Sequence, residues 1–238
     1  MTGTLINIAT VLIGGVLGSL LGSRFPEKIR QTVVAGLGLF TMAYGLQMFL
    51  KTQNAIIVLG SVLLGALLGE WWRIEDGLQN LGAFLEKKVT GAAAGGLTAE
   101  NSRFIRGFLT ASLLFCVGPM TILGSIQDGL TGDYRILAVK AILDGFAALA
   151  FASSLGIGVL FSTLIILLYQ GGLSLLAAQV QAYVNTAMMT EMTAAGGVIL
   201  IGIAFSSLLE IKKIRVGNFI PALIIAPLIV KIAALLGH

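Results

Sequence analysis

Lys140 and Asp144 lie four residues apart inside an apolar segment of membrane length, so on a helix they share one face and can pair. An intramembrane carboxylate commonly binds a cation or relays a proton; the bland alternative is a closed ion pair that locks two helices together. Lys140 can snorkel outward along its methylenes. Asp144, roughly 12 Å from the start of its span at 1.5 Å per residue, has no comparable escape. Upstream, Gly118-Pro119 breaks another apolar run. The proline ring removes a backbone donor, which leaves the carbonyl of Phe115 available to a cation. If the helix restarts at Pro119, its first amides and positive dipole end instead favour an anionic group. Thr121, Ser125, Gln127 and Asp128 follow, Thr121 and Ser125 on one face and Asp128 near the outer mouth. Gln170 in LYQGGLS and Asn218 in RVGNFIPAL are secondary candidates because each sits beside a helix breaker. Asn7 and Gln47 complete the polar set within spans, where interhelical hydrogen bonding accounts for any one residue.

The elements that must position these groups are membrane helices. With 57% hydrophobic residues, 11% charged residues and a mean hydropathy of +0.97, the chain is too apolar for an ordinary soluble domain. Eight segments reach the roughly 20 residues a helical crossing needs. They lie near residues 4 to 23, 31 to 50, 54 to 72, 104 to 128, 136 to 154, 156 to 178, 193 to 210 and 217 to 236. Together they form an all-α polytopic bundle, residues 1–238 as a single transmembrane domain. The boundary at Ser153-Ser154-Leu155-Gly156 has the least polar punctuation. No Lys or Arg precedes the first apolar run, so that run is expected to remain as a membrane helix and not to act as a signal peptide.

Basic residues set the orientation. With both termini outside, the cytoplasmic loops contain Arg24, Lys28 and Arg30, then Arg73, Lys87, Lys88, Arg103 and Arg106, then Lys212, Lys213 and Arg215, eleven of the fifteen. Only Lys51 and Arg135 face out, while Lys140 and Lys231 fall within spans; a seven-span arrangement would put the last basic cluster on the wrong side. The net charge of +4 thus reads as membrane orientation, with no nucleic-acid partner.

Residues 74 to 103 form one long cytoplasmic loop. Its first part, IEDGLQNLGAFLEKK, spaces Leu78, Leu81, Phe84 and Leu85 as one face of an amphipathic helix that suits a membrane surface, and TGAAAGG follows as a joint. Small residues stripe three helices: Gly14, Gly18 and Gly22; Ser61, Gly65 and Gly69; and Gly202 with Ser206. Such stripes let helix backbones approach closely, within the chain or across a homo-oligomer. The third and seventh segments end alike, Glu70 with Arg73 and Glu210 with Lys212, and the fourth and eighth both contain proline; this suggests a four-plus-four repeat.

Enzyme chemistry finds little support. The single cysteine, Cys116, lies in an apolar segment, which excludes an internal disulfide and a multi-cysteine metal site, and the single histidine, His238, gives a histidine triad or a His-ligated metal site little support. Glycine runs such as GLGLF and GIGVLF fall inside spans and read as packing, not dinucleotide binding. No acid besides Asp144 is expected to be clearly buried, and no metal or cofactor is implied.

The strings GPMTILGSIQDGLTGD, KAILDGFAALAFASSLGIGVLFS, YQGGLS and IRVGNFIPAL, together with the N-terminal GTLINIATVLIGGVLGSLLG, resemble the bacterial YdfK/YqgA-like family of integral membrane proteins, a domain-of-unknown-function family. The resemblance covers essentially the whole chain and implies a bacterial inner-membrane location, with transport on general grounds but no substrate. The residues themselves favour a secondary transporter for a small polar or ionic solute, its site lying between the broken fourth helix and the fifth. An oligomeric ion channel is the rival within transport. A non-transporting membrane scaffold is the rival outside it, and that reading requires Asp144 and Lys140 to form a closed pair in a dry core.

Overall fold

The computed structural model describes residues 1–22, 26–90 and 99–235, with backbone alone for Thr90 and residues 99–102. Arg24, the joint after Thr90 and His238 lie outside the described residues. Those residues are helical, with no strand among them. In chain order the helices are α1 (Thr2–Gly22), α2 (Glu27–Phe49), α3 (Ala55–Trp72), α4 (Ile74–Thr90), α5 (Ala99–Cys116), α6 (Pro119–Thr131) and α7 (Arg135–Leu155). They continue as α8 (Ile157–Leu175), α9 (Ala177–Tyr183), α10 (Thr186–Leu208) and α11 (Val216–Leu235). By length and composition seven can cross a membrane alone, and α5 with α6, bent by 63° at their break, make an eighth together. Two compact units emerge. Unit 1 holds Met1–Leu37, Gly77–Cys116 and Met120–Ala178; unit 2 holds Gly38–Asp76, Val117–Pro119 and Gln179–His238. Each therefore draws on both halves of the chain.

Unit 1 is built on the pairing of α1 with α7. A Cβ added at Gly14, Gly18 or Gly22 would come within 2.1, 2.2 and 2.1 Å of the carbonyl oxygens of Gly145, Leu149 and Ser153. The partners advance together along both helices, so α1 and α7 run parallel and touch backbone to backbone. The same unit shows what the bent pair does. At its start, the Phe104 carbonyl lies against Gly158, beyond the C-terminal end of α7; at its finish, Gly124 meets Leu137 near the start of α7 and Asp128 meets Gly3. The pair therefore traverses unit 1 from end to end, as a broken span does and a re-entrant loop does not.

Gly118 and Gly156 supply conformations that other residues adopt poorly. Gly118 has φ +149° at the break, and Gly156 has φ +83° where α7 ends, its N–H donating to the Ala152 carbonyl at 2.9 Å. Gly156 thus provides the stop that the Ser-Ser-Leu-Gly stretch disguises. In the turn before α7, Asp133 accepts from the Arg135 backbone N–H at 3.1 Å and from its guanidinium, which holds the Asp133 carboxyl down at about 2. Because the folded value is depressed, whatever this group adds to stability is present above the ordinary carboxylate range and lost as pH falls through about 2. A carboxyl titration followed by NMR should place its midpoint near 2 in the native protein and near the ordinary aspartate range in Arg135→Gln.

Unit 2 packs α3 against α11. A Cβ at Gly65 would meet the Ala222 nitrogen at 2.6 Å, and one at Gly69 the Asn218 carbonyl oxygen at 2.0 Å, so these helices run antiparallel. Val58, Ala194, Ala195, Ala222 and Ala226 form the surrounding core. The third stripe differs from expectation. A Cβ at Gly202 would meet only Val216 side-chain atoms at 3.4 Å, an ordinary contact, and Ser206 sits in a π-helical end of α10 exchanging hydrogen bonds with the backbone of Ile214.

α10 starts at Thr186, seven residues before the expected 193, because Glu191 is stabilised inside the helix instead of ending it. Buried to 3% exposure, Glu191 accepts from Thr52 Oγ1 at 2.5 Å and from the backbone N–H groups of Gln53 and Asn54 at 2.8 and 3.2 Å. The expectation of a single buried acid is thereby corrected: Asp128, Glu75, Glu86 and Glu191 are buried too. Glu191→Ala should cost about 2 kcal/mol by stranding the Gln53 amide and the Thr52 hydroxyl, while the Asn54 N–H keeps Thr52 Oγ1 at 3.1 Å, read as a lower unfolding midpoint in detergent. Lys231, also inside a span, holds its ammonium 5.3 Å from the centroid of the Tyr183 ring.

The amphipathic helix forms as α4. Gly82 lies against Phe108 and Ile105 of α5, Leu78, Leu81 and Leu85 are half-buried, and Phe84 points away at 61% exposure. Its inner face thus packs on protein, with Phe84 outside that contact.

Candidate functional site

The polar residues of unit 1 are threaded on the first two turns of α1. The Gly3 backbone N–H donates to Asp128 Oδ2 at 3.0 Å, and the Met1 amino group lies 3.1 Å from the same oxygen. Next along the helix, Thr4 Oγ1 accepts from Gln170 Nε2 at 3.2 Å. One turn from Gly3, Asn7 Nδ2 donates both to Asp144 Oδ2 and to Gln170 Oε1, each at 3.0 Å. Lys140 Nζ closes the set by donating to Asp144 Oδ2. Thr4, Asn7, Asp128 and Gln170 are at most 3% exposed, Lys140 6% and Asp144 9%.

Local structure explains why these side chains meet. Gly145, next to Asp144, lies against the Thr10 backbone and under Gly14, so the glycine contact that joins α1 to α7 also brings Asp144 within reach of Asn7. Gln170 sits in a π-helical turn, Leu167–Gly171, of α8. The extra residue in such a turn re-aims the side chains around it, a feature common at functional positions. Asp128 reaches α1 because α6 restarts at Pro119 in a new direction.

Four buried oxygens in this layer have no protein hydrogen-bond partner: Asn7 Oδ1, Ser125 Oγ, Asp128 Oδ1 and Ser174 Oγ. Ser125 is one turn before Asp128 and Ser174 one turn after Gln170, so all four lie on or within a turn of the bonded set. Buried polar atoms are overwhelmingly satisfied, and a group of exceptions marks a place suited to water or an ion. Being oxygens, these four suit a hard cation or water.

Of the sequence-selected residues, Asp144, Lys140 and Gln170 meet around Asn7, and Asp128 meets the start of α1. Thr121 serves elsewhere, its hydroxyl donating to the Phe115 carbonyl at 3.3 Å. The carbonyl expected to be open to a cation is thus capped by the helix that follows it. Gln127 is half-buried, its carbonyl accepting from Thr131. Gly118, Pro119 and Asn218 belong to unit 2. There Asn218 receives the Glu75 N–H at 2.8 Å and donates to Glu70, which also pairs with Arg215. Asn218 is therefore part of a charged cluster joining α3, α4 and α11. Thr4 carries no signal of its own in the sequence, and Asn7 carries only that of an asparagine two turns ahead of a glycine stripe. Among the described residues no group of three or more His, Cys, Asp or Glu is placed to hold a metal ion.

A family profile described as "Protein of unknown function (DUF554)" matches residues 2–231. The chain is 35% identical over 231 residues to the "Uncharacterized protein YqgA" of Escherichia coli (strain K12), covering 94% of each sequence. It is 27% identical over 234 residues to the "Uncharacterized membrane protein YdfK" of Bacillus subtilis (strain 168), covering 97% of this chain and 96% of the relative. No solved structure matches.

Proposed function

The chain belongs to the DUF554 family of membrane proteins, and from that premise we propose that it is a secondary transporter for a small polar or ionic solute, coupled to a proton or cation gradient, in the bacterial inner membrane with both termini outside. The observation that carries this reading is the layer of four unpartnered buried oxygens beside the Lys140–Asp144–Asn7–Gln170 network. In this scheme Asp144 takes the proton or cation, and Lys140 occupies the carboxylate when it is otherwise unpaired. Asn7 and Gln170 orient the carboxylate, and Asp128 with Ser125 lies on the route from the end of unit 1 where α1 begins. Arg30 and Arg103 gather at the opposite end, where α1 and α7 finish, which agrees with a cytoplasmic assignment of that end.

One observation favours the scaffold reading. The Lys140–Asp144 pair is closed, as a lock between helices would be. A lock alone, however, gives no reason to leave Asn7 Oδ1 and Asp128 Oδ1 without partners in the same layer.

The test is flux. Proteoliposomes loaded with a pH dye are exposed in turn to inward gradients of sodium, potassium, chloride and a panel of small carboxylates and amines. A gradient-driven internal pH change that is lost in Asp144→Asn supports coupled transport; conductance beyond carrier turnover supports the channel instead. Absence of flux with every gradient, or flux unchanged in both Asp144→Asn and Asp128→Asn, overturns the assignment.

A further inference from the structure

At the other end of unit 1, around the C-terminal ends of α1 and α7, lies a half-open pocket of about 270 Å³ whose polar lining comes from Ser19, Arg30, Glu86, Arg103 and Ser153. The arginines arrive from different helices. Arg30 of α2 donates from Nε and Nη2 to the Gly22 carbonyl at 3.1 and 2.6 Å, and Arg103 of α5 donates from Nη2 to the Ser154 carbonyl at 2.7 Å. Both thereby cap a helix end, where cations are favoured. Capping leaves capacity unused, because a guanidinium has five N–H donors, and these bonds take two from Arg30 and one from Arg103. Arg30's other neighbour, Glu27, is 3.6 Å away with 66% of its side chain exposed, too loose to consume the rest. The Ser19 hydroxyl on the pocket wall is buried without a partner. Two arginines against one buried acid, Glu86, give the polar lining a positive formal balance.

From this geometry we propose that the pocket binds a phosphate group. Two forked guanidiniums with a serine hydroxyl match the several acceptor oxygens of a phosphate, which arginines hold in bidentate fashion. The apolar wall of the lining is formed by Phe104, Leu155 and Ile157, of which Ile157 is 45% exposed. An acyl ester tail can lie along that wall, as when basic pockets between membrane helices hold anionic headgroups. The same chemistry also admits free phosphate. The proposal does not depend on the transport reading, because none of the pocket residues belongs to the layer around Asn7.

The experiment measures thermal unfolding of the detergent-purified full chain titrated with phosphatidylglycerol, with inorganic phosphate and with dioleoylglycerol, which has the tails but no phosphate. Two variants separate binding from folding: Arg30→Gln with Arg103→Gln, which removes the donors, and Ser19→Leu, which fills the pocket and leaves both caps in place. A saturable rise in midpoint with phosphatidylglycerol, absent with dioleoylglycerol and weakened about tenfold or more in apparent affinity in both variants, assigns the pocket to a lipid phosphate. The same pattern with inorganic phosphate assigns it to a soluble one. No rise with either phosphate compound, a rise equal to that from dioleoylglycerol, or a rise retained in Ser19→Leu overturns the proposal.

Discussion

Asp144→Ala should lower the stability of the protein by about 3–5 kcal/mol, because it leaves the Lys140 ammonium buried without its counter-charge. Both side chains are almost enclosed, 8% exposed for Lys140 and 12% for Asp144, so water offers little replacement. Asn7 loses one acceptor in the same step but keeps Gln170 Oε1. Reversible unfolding in mixed micelles measures the loss. The double variant Lys140→Met with Asp144→Leu should recover most of it, since apolar residues of similar size remove the burial cost of both charges. Transport, by contrast, should fail in the double variant. That split separates a structural pair from a working carboxylate: full stability with full flux in the double variant would sink the role given to Asp144. An alanine variant as stable as the native protein would mean that Lys140 finds another partner or reaches water.

Gly18→Leu should abolish the folded state, and Gly18→Ala should already cost about 3 kcal/mol, at the upper end of overpacking penalties. The Cβ of either residue would lie 2.2 Å from the Leu149 carbonyl oxygen and 2.9 Å from its carbonyl carbon, atoms of a helix backbone that cannot rotate aside. Gly36→Ala is the matched control, because nothing lies within 4 Å of a Cβ there. Without that clash, helix propensity predicts a gain of roughly 0.5–1 kcal/mol. The yield of monodisperse protein and the unfolding midpoint distinguish the two. Equal behaviour of Gly18→Ala and Gly36→Ala would show that α1 and α7 can separate without loss.

Span positions were legible because about twenty apolar residues in a row have few uses other than crossing a bilayer, and α7, α8 and α11 begin and end within a few residues of where the composition places them. The start of α10 was not legible. Glu191 looks like a loop residue until the amides of Gln53 and Asn54, distant in the chain by 138 and 137 residues, are known to bind its carboxylate. Nor was the capping role of Thr121, because a hydroxyl after a proline break serves equally well as ligand or as cap. The glycine stripes announced close packing without naming partners. For Gly14, Gly18 and Gly22 the partner is the α7 backbone, for Gly65 and Gly69 it is α11, and Gly202 makes no backbone approach at all.

By itself the sequence determined a polytopic helical membrane chain with a broken span before Asp128 and an ionisable pair inside another, because hydropathy, helix breakers and charge act locally along the chain. Only the tertiary structure decided that Asn7 joins Asp144 to Gln170, that Asp128 is held by the start of α1, and that Asn218 belongs to a separate charged cluster. A side chain four residues from its partner is placed by the pitch of one helix. One more than a hundred residues away is placed by which backbones can touch, and here the glycines of α1 and the π-helical turn of α8 set that.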